Sequence, residues 1–241
     1  SSRAISTLNE IINKVRLHDD DSIAWARQKC KTDIFSFNGS SCKLDSDVYA
    51  IGHCHIDTAW LWPYAETRRK VARSWSTQIH LMGQYPELEW NFALSQSCQF
   101  EWLKEDYPEL FERVKEQIKS KKFFPVGGSY VEFDANMPSS ESMIRQFMYG
   151  AEFFKSELGI HSDIFWLPDT FGYSAQLPQL MKNFKMDYFL SQKLSWNLMN
   201  TFQHNSFYWE GIDGSQVIAH FPPADNYNSG ADVREIVKSS T

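Results

Sequence analysis

The sequence has little of what several classes of protein require. Its 241 residues carry a formal net charge of -6, so it lacks the basic excess of a nucleic-acid-binding surface. It has no apolar stretch long enough to span a bilayer. Its four cysteines stand apart, with no Cys-x-x-Cys pair, which predicts reduced thiols rather than disulfides or a thiolate zinc site. It also lacks a G-x-S-x-G elbow, a phosphate-binding glycine loop and a zincin motif.

The first 47 residues differ in pattern from the remainder. Residues 4–17 place apolar side chains at the spacing of an amphipathic helix, and residues 33–46 hold four serines and a glycine. We therefore predict a helical lead-in over residues 1–47 and a larger domain over residues 48–241. The chain opens with Ser1-Ser2-Arg3 instead of a methionine, which indicates a fragment and leaves open a lost targeting segment.

Short apolar runs alternate with longer segments of helical spacing after residue 47. The predicted strands are 48–51, 92–94, 123–126, 164–167 and 188–190, and the predicted helices are 64–85, 100–120 with an interruption near Pro108, 140–158 and 177–184. Asp213-Gly214 between two further apolar runs predicts a hairpin. The alternation is typical of a mostly parallel sheet with helices outside, either open or closed as a barrel.

A candidate metal site follows the first predicted strand. His53, His55 and Asp57 lie at every second position, so in an extended chain their side chains point the same way. Loops at the carboxyl ends of parallel strands converge, which brings such residues to one site. Each could also be a polar residue satisfied at a strand end, and for His53 alone we accept that interpretation. The three together favour a metal site.

Asp169 is the most informative residue after a later strand. Large rings surround it in the sequence, and Pro168 and Gly172 restrict its turn. A divalent cation would keep this carboxylate ionised, but an aspartate capping a helix that begins near Ser174 fits equally well. Two carboxylates and an imidazole suit zinc or a similar cation better than calcium. Exposed aromatic rings beside such a site would suit a carbohydrate.

Four segments together resemble glycoside hydrolase family 38, the α-mannosidases, and the cytosolic (neutral) branch most of all. They are His53-Cys54-His55-Ile56-Asp57-Thr58-Ala59-Trp60-Leu61-Trp62, Gly127-Gly128-Ser129-Tyr130-Val131-Glu132, Trp166-Leu167-Pro168-Asp169-Thr170-Phe171-Gly172-Tyr173-Ser174 and Gln192-Lys193-Leu194-Ser195-Trp196-Asn197. The four occur in the family's order, and the resemblance extends over residues 48–238.

This resemblance implies a fold and a chemistry. The family's catalytic domain is a parallel β/α barrel of seven strands, here incomplete on its C-terminal side. The family cleaves α-mannosidic bonds with retention and uses a metal-bound aspartate as nucleophile. By motif, Asp169 would be that nucleophile and would bind one divalent ion, zinc or cobalt, together with His55 and Asp57. The same matching gives the substrate-binding residues as Trp60, Phe171, Lys193 and Tyr227.

The resemblance also implies an activity for the whole protein. It would be an exo-α-mannosidase that removes terminal mannose from free or N-glycan-type oligosaccharides in the cytoplasm. This chain alone would be inactive, because the family's general acid and last metal-binding histidine lie further along. Neither nucleic acid nor a membrane is expected as a partner, and a homo-oligomer of the full-length protein is left open.

Two alternatives remain at this point. The His53-x-His55 pair after a first strand also fits an amidohydrolase-type metal enzyme, which would use a metal-activated water instead of a carboxylate nucleophile. The chain could also be a non-catalytic mannose-binding fragment.

Overall fold

The computed structural model describes residues 2–16, 18–35 and 48–239, and Cys42 lies outside them. Contacts divide the chain into two compact units, Ser1–Ser46 and Asp47–Thr241. The described cysteines, Cys30, Cys54 and Cys98, are free, as their separation in the sequence predicts. None of the helices in the described residues is both long and apolar enough to cross a membrane.

The first unit is helical in its described part. α1 (Ser2–Lys14) follows the predicted amphipathic spacing, and α2 (Asp20–Cys30) continues into a π-helical turn at 31–35. The side chain of Asp19 accepts hydrogen bonds from the backbone N–H groups of Asp21 and Ser22, so it caps the N-terminus of α2. The acidic residues at 19–21 therefore form the N-cap and the first residues of the second helix.

Seven strands in two sheets are described in the second unit. The first sheet has the order β1-β2-β3, and its parallel strands are Gly52–His53, Phe92–Gln96 and Phe123–Ser129. The second sheet has the order β4-β5-β7-β6, with strands Ile164–Trp166, Tyr188–Leu190, Gln216–His220 and Ser206–Glu210. In it β6 is antiparallel to β7 and the other pairs are parallel. The mixed α/β fold with mainly parallel strands is confirmed, and the described residues do not show a closed barrel.

Most helices of this unit lie where their spacing predicts them. They are α3 (Tyr64–Gln84), α4 (Ser97–Asp106), α5 (Pro108–Lys119), α6 (Ser140–Phe153) and α7 (Leu177–Asn183). A further helix, α8 (Val233–Ser239), was not predicted. Pro108 occupies the first turn of α5, where its missing N–H costs no hydrogen bond, so the predicted interruption is confirmed. Ser139 accepts a hydrogen bond from the backbone N–H of Ser142 at 3.3 Å and caps α6.

Two local predictions have opposite outcomes. The turn at Asp213-Gly214 joins β6 to β7, and Gly214 has a φ of +83°, so the hairpin is confirmed. The prediction of a first strand at residues 48–51 is wrong. These residues are exposed, and β1 consists of Gly52 and His53 instead. Pairing begins at Gly52↔Phe92. Since β2 itself starts at Phe92, the run before Gly52 has no strand beside it.

Apolar clusters join the layers. α3, α4 and α5 pack on the first sheet, where the rings of Trp75 and Phe100 lie 4.6 Å apart between centroids. Side chains of α6 and α7 pack on the second sheet in a separate cluster. A small third cluster of Ala93, Val126 and Trp166 lies on the other face of both sheets, where β3 and β4 are neighbours. The two sheets thus share one apolar interior.

Helix α6 lies so close to β3 that a side chain does not fit at Gly150. A Cβ there would meet the carbonyl carbon of Ser129 at 2.4 Å and the carbonyl oxygen of Gly128 at 2.7 Å. Because both are backbone atoms, we expect Gly150→Ala to destabilise the full-length protein by about 1–3 kcal/mol, although alanine is the better helix former. Thermal unfolding measures the change.

Gly83→Ala in α3 is the matched control. No heavy atom lies within 4 Å of a Cβ at this position. The substitution should therefore stabilise the protein, by up to about 1 kcal/mol. Similar effects of the two substitutions would contradict the close approach of α6 to β3.

Candidate metal and catalytic site

His55 and Asp57 approach each other in the loop after β1. Nε2 of His55 lies 3.2 Å from Oδ1 of Asp57 and 3.3 Å from Oδ2 of Asp169. The three residues offer one nitrogen and two carboxylate oxygens that all lie within 4.8 Å of one another. One small cation can contact three atoms so arranged. The structure thus brings the three predicted ligands together, and their role as ligands stays a prediction.

Asp169 reaches this point from the end of β4. The indole N–H of Trp166, the last residue of β4, donates to Nε2 of His53 in β1 at 3.3 Å, which ties the two strand ends together. The alternative of a helix cap is wrong: α7 begins at Leu177, with Gln176 at its N-cap position. The carboxylate of Asp169 instead faces the interior of the site.

Two further side chains engage the carboxylate of Asp169. Nζ of Lys193 lies 2.6 Å from Oδ1, and the hydroxyl of Tyr227 donates to Oδ2 at 2.9 Å. Nζ of Lys193 also lies 3.3 Å from the ring centroid of Trp196 and 4.5 Å from that of Phe171. Lys193 and Tyr227 therefore belong to the surroundings of Asp169. Whether they also contact substrate stays a prediction.

Glu132, to which the sequence analysis assigned no role, lies against the other side of His55. Its Oε2 is 2.7 Å from Nδ1 of His55, and its side chain is 3% exposed. This contact and the one between Lys193 and Asp169 are ion pairs whose angles depart from hydrogen-bond geometry. The signal that could have identified Glu132 is its place directly after β3, which corresponds to the place of Asp169 after β4.

The charges of the site shift two pKa values. Burial alone would raise the pKa of Asp169, but Lys193, Tyr227 and the imidazole of His55 outweigh burial and hold the pKa below its usual range. Burial alone would lower the pKa of His55, but Glu132 and the other two carboxylates raise it to about 9. Asp169 is therefore ionised at neutral pH, and without a cation His55 is protonated.

His53 has no nitrogen left for a ligand role. Its Nδ1 lies 3.2 Å from the carbonyl oxygen of Ala93, to which it donates, and its Nε2 accepts from Trp166. Burial lowers the pKa of His53 and keeps the ring neutral. The interpretation of His53 as a satisfied histidine in the sheet agrees with this geometry.

Two of the predicted sugar-binding rings are exposed. Trp60 is 65% exposed and Phe171 is 69% exposed. Each packs edge-on against another ring, Trp60 on Trp62 at 5.3 Å between centroids and Phe171 on Trp196 at 5.7 Å. Ala59 before Trp60 has a φ of +130°, a strained conformation for alanine. The strain lies in the turn that presents Trp60. Sugar binding by these rings stays a prediction.

Two buried glutamines that the sequence analysis missed hold the ligand loop. The side-chain amides of Gln96 and Gln99 donate to the carbonyl oxygen of Ile56, at 2.9 and 2.8 Å. Ile56 separates His55 from Asp57, so both ligand candidates flank a fixed peptide. A glutamine at a strand end, such as Gln96, or in the first turn of a helix, such as Gln99, carries no signal of this kind in a single sequence.

Comparison with known proteins places the chain among glycosidases. Residues 45–241 match the family described as glycosyl hydrolases family 38 N-terminal domain. "Alpha-mannosidase G" of Dictyostelium discoideum is 50% identical over 99% of this chain and 22% of its own length. "Alpha-mannosidase 2C1" of Homo sapiens is 48% identical over 99% of this chain and 22% of its own length. The chain thus spans less than a quarter of these relatives.

Solved structures share the fold. An alpha-mannosidase from Enterococcus faecalis V583 superposes with a TM-score of 0.60 and 24% identity, over 71% of this chain and 19% of that chain. The 4-alpha-glucanotransferase of Thermococcus litoralis superposes with a TM-score of 0.56 and 12% identity, over 78% of this chain and 30% of that chain. At such identities the likeness concerns the fold and not the activity. The match over residues 45–241 is what decides the family: this chain belongs to glycosyl hydrolase family 38 and carries its N-terminal domain.

Proposed function

We propose that the protein carrying this chain is a metal-dependent retaining exo-α-mannosidase with Asp169 as its nucleophile. The observation that carries the proposal is the meeting of His55, Asp57 and Asp169 at one point. It is supported by relatives that are named alpha-mannosidases. The substrate would be terminal α-linked mannose of free or N-glycan-type oligosaccharides. By resemblance to the cytosolic branch, the protein would act in the cytoplasm.

The three ligand residues fit zinc or cobalt. One imidazole nitrogen and two carboxylate oxygens form a donor set that borderline divalent cations accept. The side chain of Asp57 is 35% exposed and that of Asp169 is 16% exposed, so a sugar hydroxyl has access from the same side. When bound, the cation would supply a Lewis acid for the hydroxyl groups of the mannose.

Asp169 is suited to attack the anomeric carbon. Its lowered pKa keeps it ionised, and Lys193 and Tyr227 hold its two oxygens. A carboxylate oxygen forms a bond to the anomeric carbon while the glycosidic C–O bond breaks and its electron pair passes to the leaving oxygen. That oxygen takes a proton from a general acid, which we assign to the full-length protein outside this chain, about 5–5.5 Å from Asp169. Water then hydrolyses the mannosyl ester and restores the carboxylate.

Exposed rings would receive the sugar. Trp60 and Phe171 present open faces, and each is held at its edge by a second ring. Aromatic faces bind the apolar faces of sugars, while hydroxyl groups bind polar side chains. We propose that both rings contact the mannose and that Tyr227 and Lys193 contribute polar contacts beside Asp169.

We also propose that the six parallel strands of the two sheets, β1 to β5 and β7, belong to one seven-stranded β/α barrel. Residues 48–241 would then form a partial catalytic domain that follows a lead-in of residues 1–47. Support comes from the apolar interior shared by both sheets. A groove of about 740 Å³ between β1 and β7 is lined by Gly52, Trp166, Leu190 and His220. Further strand from the same protein would fill such a groove and close the barrel.

The geometry weighs against an amidohydrolase-type enzyme. That chemistry would use His53 and His55 together as ligands, whereas both nitrogens of His53 are engaged within the sheet. A mannose-binding fragment without catalysis could use Asp169 as a metal ligand but would not need it as a nucleophile. Metal content of the histidine variants and turnover by Asp169→Asn separate these alternatives from the proposal.

Substituting the two histidines one at a time should affect the metal content of only one variant. In the full-length protein, His53→Gln removes two buried hydrogen bonds and should lower the free energy of unfolding by about 1–3 kcal/mol, while bound metal stays unchanged. His55→Gln should lose most of the metal. Metal analysis and thermal unfolding of both variants measure this. Loss of metal in both variants would favour the amidohydrolase alternative.

Asp169→Asn in the full-length protein should lower kcat by about 10³-fold or more and leave substrate binding largely intact, because a nucleophile acts in the chemical step. Turnover of an aryl α-mannoside measures kcat. A slowly hydrolysed mannosyl fluoride should label Asp169 covalently in the unaltered enzyme, as peptide mass spectrometry would show. Asp187→Asn is the control, since Asp187 pairs with Lys182 on the surface. Near-normal turnover by Asp169→Asn would rule out the assignment.

Lys193→Met should shift the acidic limb of the kcat/KM profile to higher pH. Burial raises the pKa of Asp169, and Lys193 is among the groups that lower it. Removing this cation therefore raises the pKa, and the carboxylate gains its proton at a higher pH. Lys193→Arg keeps the charge and should shift the limb less. Lys182→Met, at an exposed ion pair, is the control. An unchanged profile in Lys193→Met would show that Lys193 does not control Asp169.

A further inference from the structure

We infer that Glu132 is a positioning residue that fixes the ring of His55, so that Nε2 faces the two carboxylates across the site. The inference rests on the proposed function, in which His55 is a metal ligand. It adds a residue that acts through His55 without contacting metal or substrate.

The two ring nitrogens of His55 have different partners. Nδ1 lies 2.7 Å from Oε2 of Glu132, while Nε2 lies 3.2 Å from Asp57 and 3.3 Å from Asp169. The nitrogens stand on opposite sides of the ring, so a contact at one sets the direction of the other. A carboxylate beside Nδ1 also stabilises a hydrogen on that nitrogen, which leaves the lone pair on Nε2.

Glu132 is itself held in place. Its side chain is 3% exposed. Its second oxygen, Oε1, accepts a hydrogen bond from Ser95 Oγ at 2.5 Å, and its backbone N–H donates to Oε1 of Gln96 at 3.1 Å. The amide of Gln96 donates in turn to the carbonyl oxygen of Ile56, beside His55. The end of β2 therefore fixes both Glu132 and the loop that Glu132 orients.

A direct ligand role for Glu132 fits the geometry less well. Glu132 and the two histidines are close enough to form a second group of ligand atoms. However, both nitrogens of His53 are engaged, and the two oxygens of Glu132 face Ser95 and His55. With these atoms engaged, a cation at that point would have to break contacts on every side. The remaining role is to orient His55.

Loss of such an orienting partner weakens a metal site without removing a ligand. Mutation of a carboxylate behind a metal-binding histidine typically lowers metal affinity by about 10–100-fold. We expect this loss for Glu132→Ala, and a smaller loss for Glu132→Gln, whose uncharged amide oxygen can take the place of Oε2 beside Nδ1. Ser95→Ala, which releases one oxygen of Glu132, should lie between Glu132→Gln and the unaltered protein.

The experiment is a titration of the metal-free full-length protein with Co²⁺, followed by visible absorption. It gives the affinity for Co²⁺ and, at saturation, a spectrum that reports the ligand arrangement. We expect weaker binding and an altered spectrum in Glu132→Ala and Glu132→Gln. Glu101→Gln is the matched control, because it makes the same chemical change at another glutamate. Glu101 lies in α4 and accepts a hydrogen bond from the hydroxyl of Tyr130. It should keep both the affinity and the spectrum.

The outcomes separate this inference from the proposed function. If His55→Gln binds Co²⁺ as the unaltered protein does, the proposed metal site itself is wrong. If His55→Gln loses Co²⁺ while both Glu132 variants keep normal affinity and spectrum, the site stands and the role of Glu132 is wrong. Should Glu132→Ala fail to fold, Glu132→Gln and Ser95→Ala decide in the same way.

Discussion

The site depends on the balance of charge around one buried imidazole. Three carboxylates approach His55, from Glu132 on one side and from Asp57 and Asp169 on the other. Like charges this close repel each other, and burial strengthens the repulsion because water screens it less. His55 and Lys193 compensate part of the negative charge. A divalent cation would complete the compensation, which is a physical reason to expect one there.

The fold supplies these groups from the ends of several strands. β1 is two residues long, and a strand this short cannot by itself fix the loop that follows it. Buried side chains from the end of β2 and the first turn of α4 take over this task, since Gln96 and Gln99 both hold the carbonyl oxygen of Ile56. Trp166 ties β4 to β1 through His53. The side chains that position the site, those of Gln96, Gln99 and Trp166, are thus as buried as the side chains of the apolar core.

Elements whose pattern is local were predictable from the sequence. α3 and α6 follow helical spacing, α6 has a serine cap, and the hairpin between β6 and β7 has its Asp-Gly turn. α2 was not predicted, because Ala26 is the one buried residue described in this helix. So little burial leaves little apolar pattern to detect. Residues 48–51 were wrongly predicted as a strand for the opposite reason. It is apolar enough for a strand, but whether a segment pairs depends on where its partner begins, and β2 begins at Phe92.

For the site, the sequence by itself determined which chemical groups follow which strand, and the resemblance to a family then implied His55, Asp57 and Asp169 as the ligand set. Spacing alone offered His53 and His55 alike, since both are histidines two positions apart. Only the tertiary structure decided that His53 is engaged by Ala93 and Trp166, 40 and 113 residues away. It likewise decided that His55 stands between carboxylates from three parts of the chain. These choices depend on contacts between distant segments, and no local pattern encodes them.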